Sequence, residues 1–340
     1  MKSANPQFTF LEQSLQKLQN DNVSNGQDNQ ISNMIMLLDG GTGEELFRKG
    51  VPNDRKIWSA TAVVHSQYHS KLKEVHESYF KAGSNAVTAN SYGITPGVGF
   101  EGEKMLQYIS IAARIAKESI NNGKKIVLGS LGPLVESYRP DLILSHEEGV
   151  SIYSKMMNSM HPHINAYIAE TMSSVEEAFQ IVDAAMLSKL PQTPLFVSFT
   201  LSSHGNIRSK ENIISGLSRF LEYENTQQIN LKAILFNCSE PEAITMALRS
   251  IKSNKYLLDK LKEQKILLGA YANRLTPIED SWSLQESEET QSMRTDINPQ
   301  QYFEDFVQEW VNDLGVQIIG GCCGVTPEHI AYIHEKMRVL

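Results

Sequence analysis

At 340 residues, with 41 % apolar and 21 % charged side chains, the chain has the composition of a folded protein with a sizeable core. A net charge of −8 leaves no basic excess to displace phosphate counterions, so nucleic acid is excluded as an expected partner. No apolar run approaches the roughly 18 residues of a membrane span, and three cysteines, an odd number, make no disulfide framework.

The N-terminus, Met1-Lys2-Ser3-Ala4-Asn5-Pro6, lacks the apolar stretch of a secretory signal, so a cytoplasmic protein with reduced thiols is expected. Phe8, Phe10, Leu11, Leu15 and Leu18 recur at helical spacing and predict a short amphipathic helix that covers one end of the domain. Asn20 to Asn33, rich in Asn, Gln, Asp and Ser, predicts a flexible linker. Residues 1–33 are therefore read as an extension and residues 34–340 as the folded domain.

From Met34 onward, short apolar runs alternate with longer amphipathic stretches. The runs are Ile35–Leu38, Ala86–Ala89, Ile126–Leu128, Ala166–Ala169, Leu195–Phe199, Ala233–Phe236, Ile266–Leu268 and Val316–Ile319. Nearly continuous apolar runs are the mark of parallel strands buried on both faces. The intervening stretches carry helix signals. Glu74–Ala82 is amphipathic and stops at Gly83. Ser145-His146-Glu147-Glu148, Ser174-Val175-Glu176-Glu177 and Thr42-Gly43-Glu44-Glu45 read as capping boxes, and Thr326-Pro327 as a cap with proline at the first helical position. Eight strand–helix units over about 300 residues predict a (β/α)8 TIM barrel. An open doubly wound sheet is the alternative, but Asp39-Gly40-Gly41-Thr42-Gly43-Glu44 has the wrong glycine spacing for a dinucleotide fold.

Active sites of such barrels stand at the C-terminal ends of the strands. Those positions hold Asp39, Asn90, Ser130, Glu170, Thr200, Asn237-Cys238, Tyr271 and Cys322-Cys323. Buried strands have no structural reason to end repeatedly in polar groups, so one pocket is expected there. All three cysteines of the chain belong to this set. A single free cysteine usually behaves as a small hydrophobe. Three at strand ends, flanked by Gly320-Gly321 and Gly324, point instead to a shared zinc ion with an open coordination place. By contrast, His161-Pro162-His163 precedes the fourth run and falls on the opposite face. The acidic run Glu286–Glu289 reads as a solvated loop.

Gly320-Gly321-Cys322-Cys323-Gly324-Val325-Thr326-Pro327-Glu328-His329-Ile330 resembles the zinc signature of the homocysteine-binding domain. Homocysteine S-methyltransferases, betaine–homocysteine methyltransferase and the first module of cobalamin-dependent methionine synthase share that domain. Leu38-Asp39-Gly40-Gly41-Thr42-Gly43-Glu44-Glu45-Leu46, Gly129-Ser130-Leu131-Gly132-Pro133, Glu170-Thr171, Ser198-Phe199-Thr200-Leu201 and Asn237-Cys238 match in the right order. The resemblance covers Asn33 to the C-terminus. It implies Zn2+ on Cys238, Cys322 and Cys323, with the homocysteine sulfur as fourth ligand. The amino and carboxylate ends would lie near Asp39 and Glu170, with Gly40, Ser130 and Asn237 in the same pocket. A small sulfonium or ammonium donor, S-methylmethionine or S-adenosylmethionine, would supply the methyl group, and methionine would be formed.

Two segments depart from the family pattern. Tyr271-Ala272-Asn273-Arg274 stands where relatives using S-methylmethionine carry Tyr-Pro-Asn-Ser-Gly, and Pro162-His163-Ile164-Asn165 replaces Ala-Gly-Ala-Asp. The first departure bears on donor identity, and also on whether the acceptor is homocysteine or a related thiol or selenol. Two readings from other classes stand beside the enzyme: a zinc barrel hydrolase, which should carry histidine and carboxylate ligands, and a non-catalytic zinc- or thiol-binding barrel.

Overall fold

The structure is a computed structural model and describes residues 6–21, 35–121, 124–277 and 292–339. The core of the expected linker and the Glu286–Glu289 run lie outside the described residues. Eight parallel strands alternate with helices: β1 (Met36–Leu37), β2 (Ala86–Thr88), β3 (Ile126–Leu131), β4 (Ala166–Met172), β5 (Leu195–Phe199), β6 (Leu231–Asn237), β7 (Leu267–Tyr271) and β8 (Ile318–Ile319). Each strand from β2 to β8 pairs with its sequence neighbour, and β8 returns to pair with β1. The expected barrel is the fold.

The remaining seam, between β1 and β2, is closed largely by side chains. Asn85 donates its main-chain N–H to Leu37 O at 2.7 Å, while its Oδ1 accepts from Leu37 N at 2.7 Å. One turn further, Asp39 accepts from Thr88 N (2.8 Å) and Thr88 Oγ1 (3.1 Å). The short amide and carboxylate thus supply acceptors that the missing ladder would have provided.

Alternation along the strands separates two cores, as period-two side chains require. Leu37, Val87, Val127, Val197, Ile234 and Ile319 face the outer helices. Met36, Leu38, Leu128, Ile168, Phe196 and Leu235 fill the barrel. The N-terminal helix Pro6–Asp21 packs Leu11, Leu15 and Leu18 into this inner core. Gln317 Nε2 donates to Leu18 O at 2.7 Å, which pins that helix beside the start of β8.

The helix signals divide. The helix His69–Ala82 ends at Gly83 with φ +111°, where glycine adopts the left-handed cap without steric cost. Ser174 accepts from Glu177 N, which is half of the expected capping box, while the Glu177 carboxylate reaches back one residue further to Ser173 N. The Ser145 hydroxyl instead donates to the Glu148 carboxylate (2.6 Å) and makes no side-chain bond to the backbone. Thr42 is the first residue of helix Thr42–Arg48 and Gly41 occupies the cap, so the box expected at Thr42 is not formed. Glu45 pairs with Arg48 at 3.0 Å instead of reaching back. Among the described residues, no helix is long and apolar enough to cross a membrane.

Candidate metal centre and active site

Cys238 follows β6 directly, and Cys322 and Cys323 lie in the turn after β8. Their sulfurs converge at the C-terminal end of the barrel: Cys322–Cys238 at 3.1 Å, Cys238–Cys323 at 3.9 Å and Cys322–Cys323 at 3.9 Å. These separations exceed the roughly 2.05 Å of a disulfide. Zn–S bonds of about 2.3 Å in a tetrahedron set sulfur–sulfur edges near 3.8 Å, so two edges already fit and the third must widen. Three soft sulfur donors with no histidine or carboxylate in the cluster are the donor chemistry of thiophilic metals, zinc among them.

The backbone presents these sulfurs at a steric cost. Cys238 sits at φ +49°, a conformation rare for residues with a Cβ and frequent at functional sites. The paired-cysteine turn is stitched by three bonds to two neighbouring segments, the loop after β1 and the end of β7. Gly321 N donates to Asp39 O (2.9 Å), Cys322 N to Ala272 O (2.8 Å) and Gly41 N to Val325 O (2.8 Å). A Cβ on Gly40 would collide with Val325 O, and one on Gly321 with the Val325 side chain. Gly40 is needed where the loop after β1 meets the cysteine turn at backbone distance, and Gly321 where that turn folds its own Val325 side chain back on itself.

Glu170 owes its aim to an irregularity. The β4–β5 register shifts between Ala169 and Met172, and Thr171 lies at φ +62°. Such a bulge redirects a strand's side chains. Ser130 Oγ donates to Glu170 Oε2 at 2.5 Å and Tyr271 OH to Oε1 at 3.2 Å. Burial pushes the Glu170 carboxyl up to about 7 against those two donors. Asp39, also buried, is raised to about 7 by burial, with the Glu170 charge adding to it.

Asn237 is buried and bonded across the barrel. Its Oδ1 accepts from Thr171 N (2.9 Å) and Ser198 Oγ (2.7 Å), and its Nδ2 donates to Thr171 Oγ1 (2.9 Å). These bonds tie it to the β4 bulge that carries Glu170. Asn90 donates Nδ2 to Ser59 O (2.7 Å), and Thr200 Oγ1 donates to Cys238 O (3.3 Å). The segment His161–His163 is a short helical turn ahead of β4, at the far end of the barrel from the cysteines.

A family model described as homocysteine S-methyltransferase matches residues 36–337. The chain belongs to the homocysteine S-methyltransferase family. It is 25 % identical over 147 residues to homocysteine S-methyltransferase YbgG of Bacillus subtilis, and 32 % identical over 112 residues to homocysteine S-methyltransferase of Escherichia coli. Those stretches cover 37 % and 29 % of this chain but only 46 % and 35 % of the relatives, so less than half of each relative is matched. The metallated form of the homocysteine methyltransferase MmuM from Escherichia coli superposes with a TM-score of 0.68 at 21 % identity. That match covers 89 % of this chain and 96 % of MmuM and shows the shared fold.

Within this family frame, the loop after β3 contributes residues that sequence periodicity did not single out. Tyr138, at φ +67°, donates its hydroxyl to Cys238 Sγ at 2.9 Å. The Arg208 guanidinium lies 5.6 Å from the centre of the Tyr138 ring. Tyr92 OH and Ser137 Oγ are 2.7 Å apart beside them. Hydrogen bonds from Cys322, Cys323 and Tyr138 hold the Cys238 thiol well below its usual range. The Cys322 and Cys323 thiols are pushed up in turn, chiefly by their bonds to Cys238. Negative charge in the cluster is thus favoured at Cys238 over its two neighbours.

Proposed function

We propose that the protein transfers a methyl group from a small sulfonium or ammonium donor, S-methylmethionine or S-adenosylmethionine, to the thiol of homocysteine, giving methionine. The observation that carries this reading is the convergence of Cys238, Cys322 and Cys323 within 4.8 Å at the active end of the barrel. When bound there, Zn2+ would supply a Lewis-acid place that keeps the acceptor sulfur as a thiolate at neutral pH.

The chain's own residues do the rest. Glu170 keeps free acceptor positions beyond those used by Ser130 and Tyr271, because a carboxylate offers about four. Those positions, with Asp39 nearby, suit the ammonium group of an amino-acid acceptor. Holding acceptor sulfur and donor methyl in line at the barrel mouth would supply catalysis by positioning. A sulfur lone pair forms the new C–S bond as the donor's bond to the methyl carbon breaks, and that electron pair leaves on the now neutral donor. The acceptor's thiol proton goes to solvent.

The test is to incubate purified protein with homocysteine and each candidate donor, and to measure methionine with and without a chelator. Methionine formation that is lost on chelation and restored by Zn2+ supports the proposal. Metal binding with no methionine from any donor would leave the non-catalytic zinc barrel in its place. Release of a hydrolysed product would favour the hydrolase.

A further inference from the structure

We propose that Arg274 is a positioning residue for the metal centre, holding the Cys322–Cys323 turn in register with the element that carries Cys238. The inference rests on the reading of the three cysteines as metal ligands. It starts from the departure at Tyr271-Ala272-Asn273-Arg274, which brings a guanidinium to the end of β7.

Strand β7 lies between β6 and β8, so the residues that follow it pass between the two halves of the cysteine cluster. Asn273 N donates to Ser239 O at 3.1 Å, on the Cys238 side. The next residue turns the other way: Arg274 N donates to Cys323 O at 2.9 Å. Its guanidinium continues in that direction, with Nη1 donating to Gly324 O at 3.1 Å and Nη2 to Arg294 O at 2.9 Å. Arg294 N returns a bond to Arg274 O at 2.7 Å. Arg294 is itself held by a two-pronged ion pair to Glu242, at 2.9 and 2.8 Å. Glu242 opens helix Pro241–Ser253, four residues after Cys238.

A closed mechanical circuit results, running from Cys238 through Glu242, Arg294 and Arg274 to Gly324 and Cys323. Gly324 sits at φ +79°, and Arg274 fixes its carbonyl. A planar fork can bond two carbonyls at once, which an ammonium or a serine hydroxyl cannot do in the same geometry. Groups of this kind, which orient ligands without touching the metal, typically change metal affinity 10- to 100-fold when removed.

The experiment measures metal binding, independent of turnover. Metal-free protein is titrated with Co2+ while the thiolate-to-cobalt absorption is recorded. Zn2+ affinity is then measured by competition with a chromophoric chelator. The variants are Arg274→Ala, Arg274→Lys and Glu242→Ala, with circular dichroism recording the fold of each. Arg274→Ala is expected to bind Zn2+ roughly 10- to 100-fold more weakly, with altered cobalt bands. Arg274→Lys should lie between, and Glu242→Ala should shift in the same direction by a few-fold. Should Arg274→Ala fail to fold, the other two variants decide. Wild-type affinity and cobalt bands in the folded variants overturn this inference alone. Wild-type protein that takes up neither metal overturns the metal centre and this inference together.

Discussion

Asn237 holds Thr171 in a left-handed conformation from the neighbouring side of the barrel, with two reciprocal hydrogen bonds of 2.9 Å. A β-branched residue at φ +62° is a true outlier, so the amide is what keeps the β4 bulge in place and Glu170 aimed at the mouth. Replacing Asn237 by Ala leaves the buried Thr171 N–H without its acceptor, a cost of about 1–3 kcal/mol. The urea midpoint should fall accordingly. KM for homocysteine should rise more than kcat falls, because the loss is in Glu170 placement. Unchanged KM in a folded Asn237→Ala protein would refute the link.

Tyr138 makes the second prediction. Its hydroxyl is one of four donors to Cys238 Sγ, and a hydrogen bond to a charged group is worth about 1.5–3 kcal/mol. Tyr138→Phe should therefore raise the first apparent pKa of the metal-free thiol cluster, because the thiolate loses a donor. The three sulfurs titrate together, so the value belongs to the cluster. The pH dependence of iodoacetamide alkylation under chelator measures it, and an unshifted profile would show that the bond contributes nothing.

Much of this site was legible in the chain because strands announce themselves by composition. Every apolar run became a strand, yet β3, β4, β6 and β7 extend past their runs to Leu131, Met172, Asn237 and Tyr271. Ser130, Glu170 and Asn237 keep the backbone paired while turning polar, and a hydrophobic criterion stops at the first of them. The cysteines could be placed because all three sit at strand ends. Tyr138 and Arg274 could not, because each lies on a loop whose path is set by tertiary bonds and carries no period. The box expected at Thr42 failed for a related reason. Gly41 must lie against the cysteine turn, donating to Val325 O, and with Gly41 as the cap the helix starts one residue earlier than the local pattern implies. Asn85 and Asn165 offered a signal that was not used. Each directly precedes a strand, and each lends its Oδ1 to a neighbouring strand's N–H, at Leu37 and Val127.

Glu177 governs a third prediction, on pH. Buried behind Ser173, which donates both N–H and Oγ to it, its carboxyl is raised from 4.5 to about 7 by burial. Between those values the native state holds a proton that the unfolded state has released. Stability must therefore fall as pH rises from about 4.5 to about 7, with the penalty complete above that. Asp39 and Glu170 act in the same window and with the same sign. Glu177→Gln keeps an acceptor oxygen for Ser173 and removes one titration. Its loss of stability across this window should be smaller than wild type's by an amount on the order of 3 kcal/mol. Urea denaturation of the chelated proteins at pH 5, 6 and 7.5 tests this, and parallel curves for the two proteins would contradict it.

The N-terminal helix separates stability from chemistry, because it seals the end of the barrel opposite the cysteines. Leu15 is 1 % exposed within the inner core, and truncating a buried leucine to alanine costs about 2–5 kcal/mol. Leu15→Ala should therefore lower the thermal midpoint by several degrees while leaving Zn2+ affinity and low-temperature methyl transfer near wild type. Deleting residues 1–21 should go further, since it also strips the acceptor from Gln317 Nε2 and opens the barrel floor to water. If the truncated protein melts with the full chain, the helix is an ornament on the barrel and its leucines contribute nothing to the core.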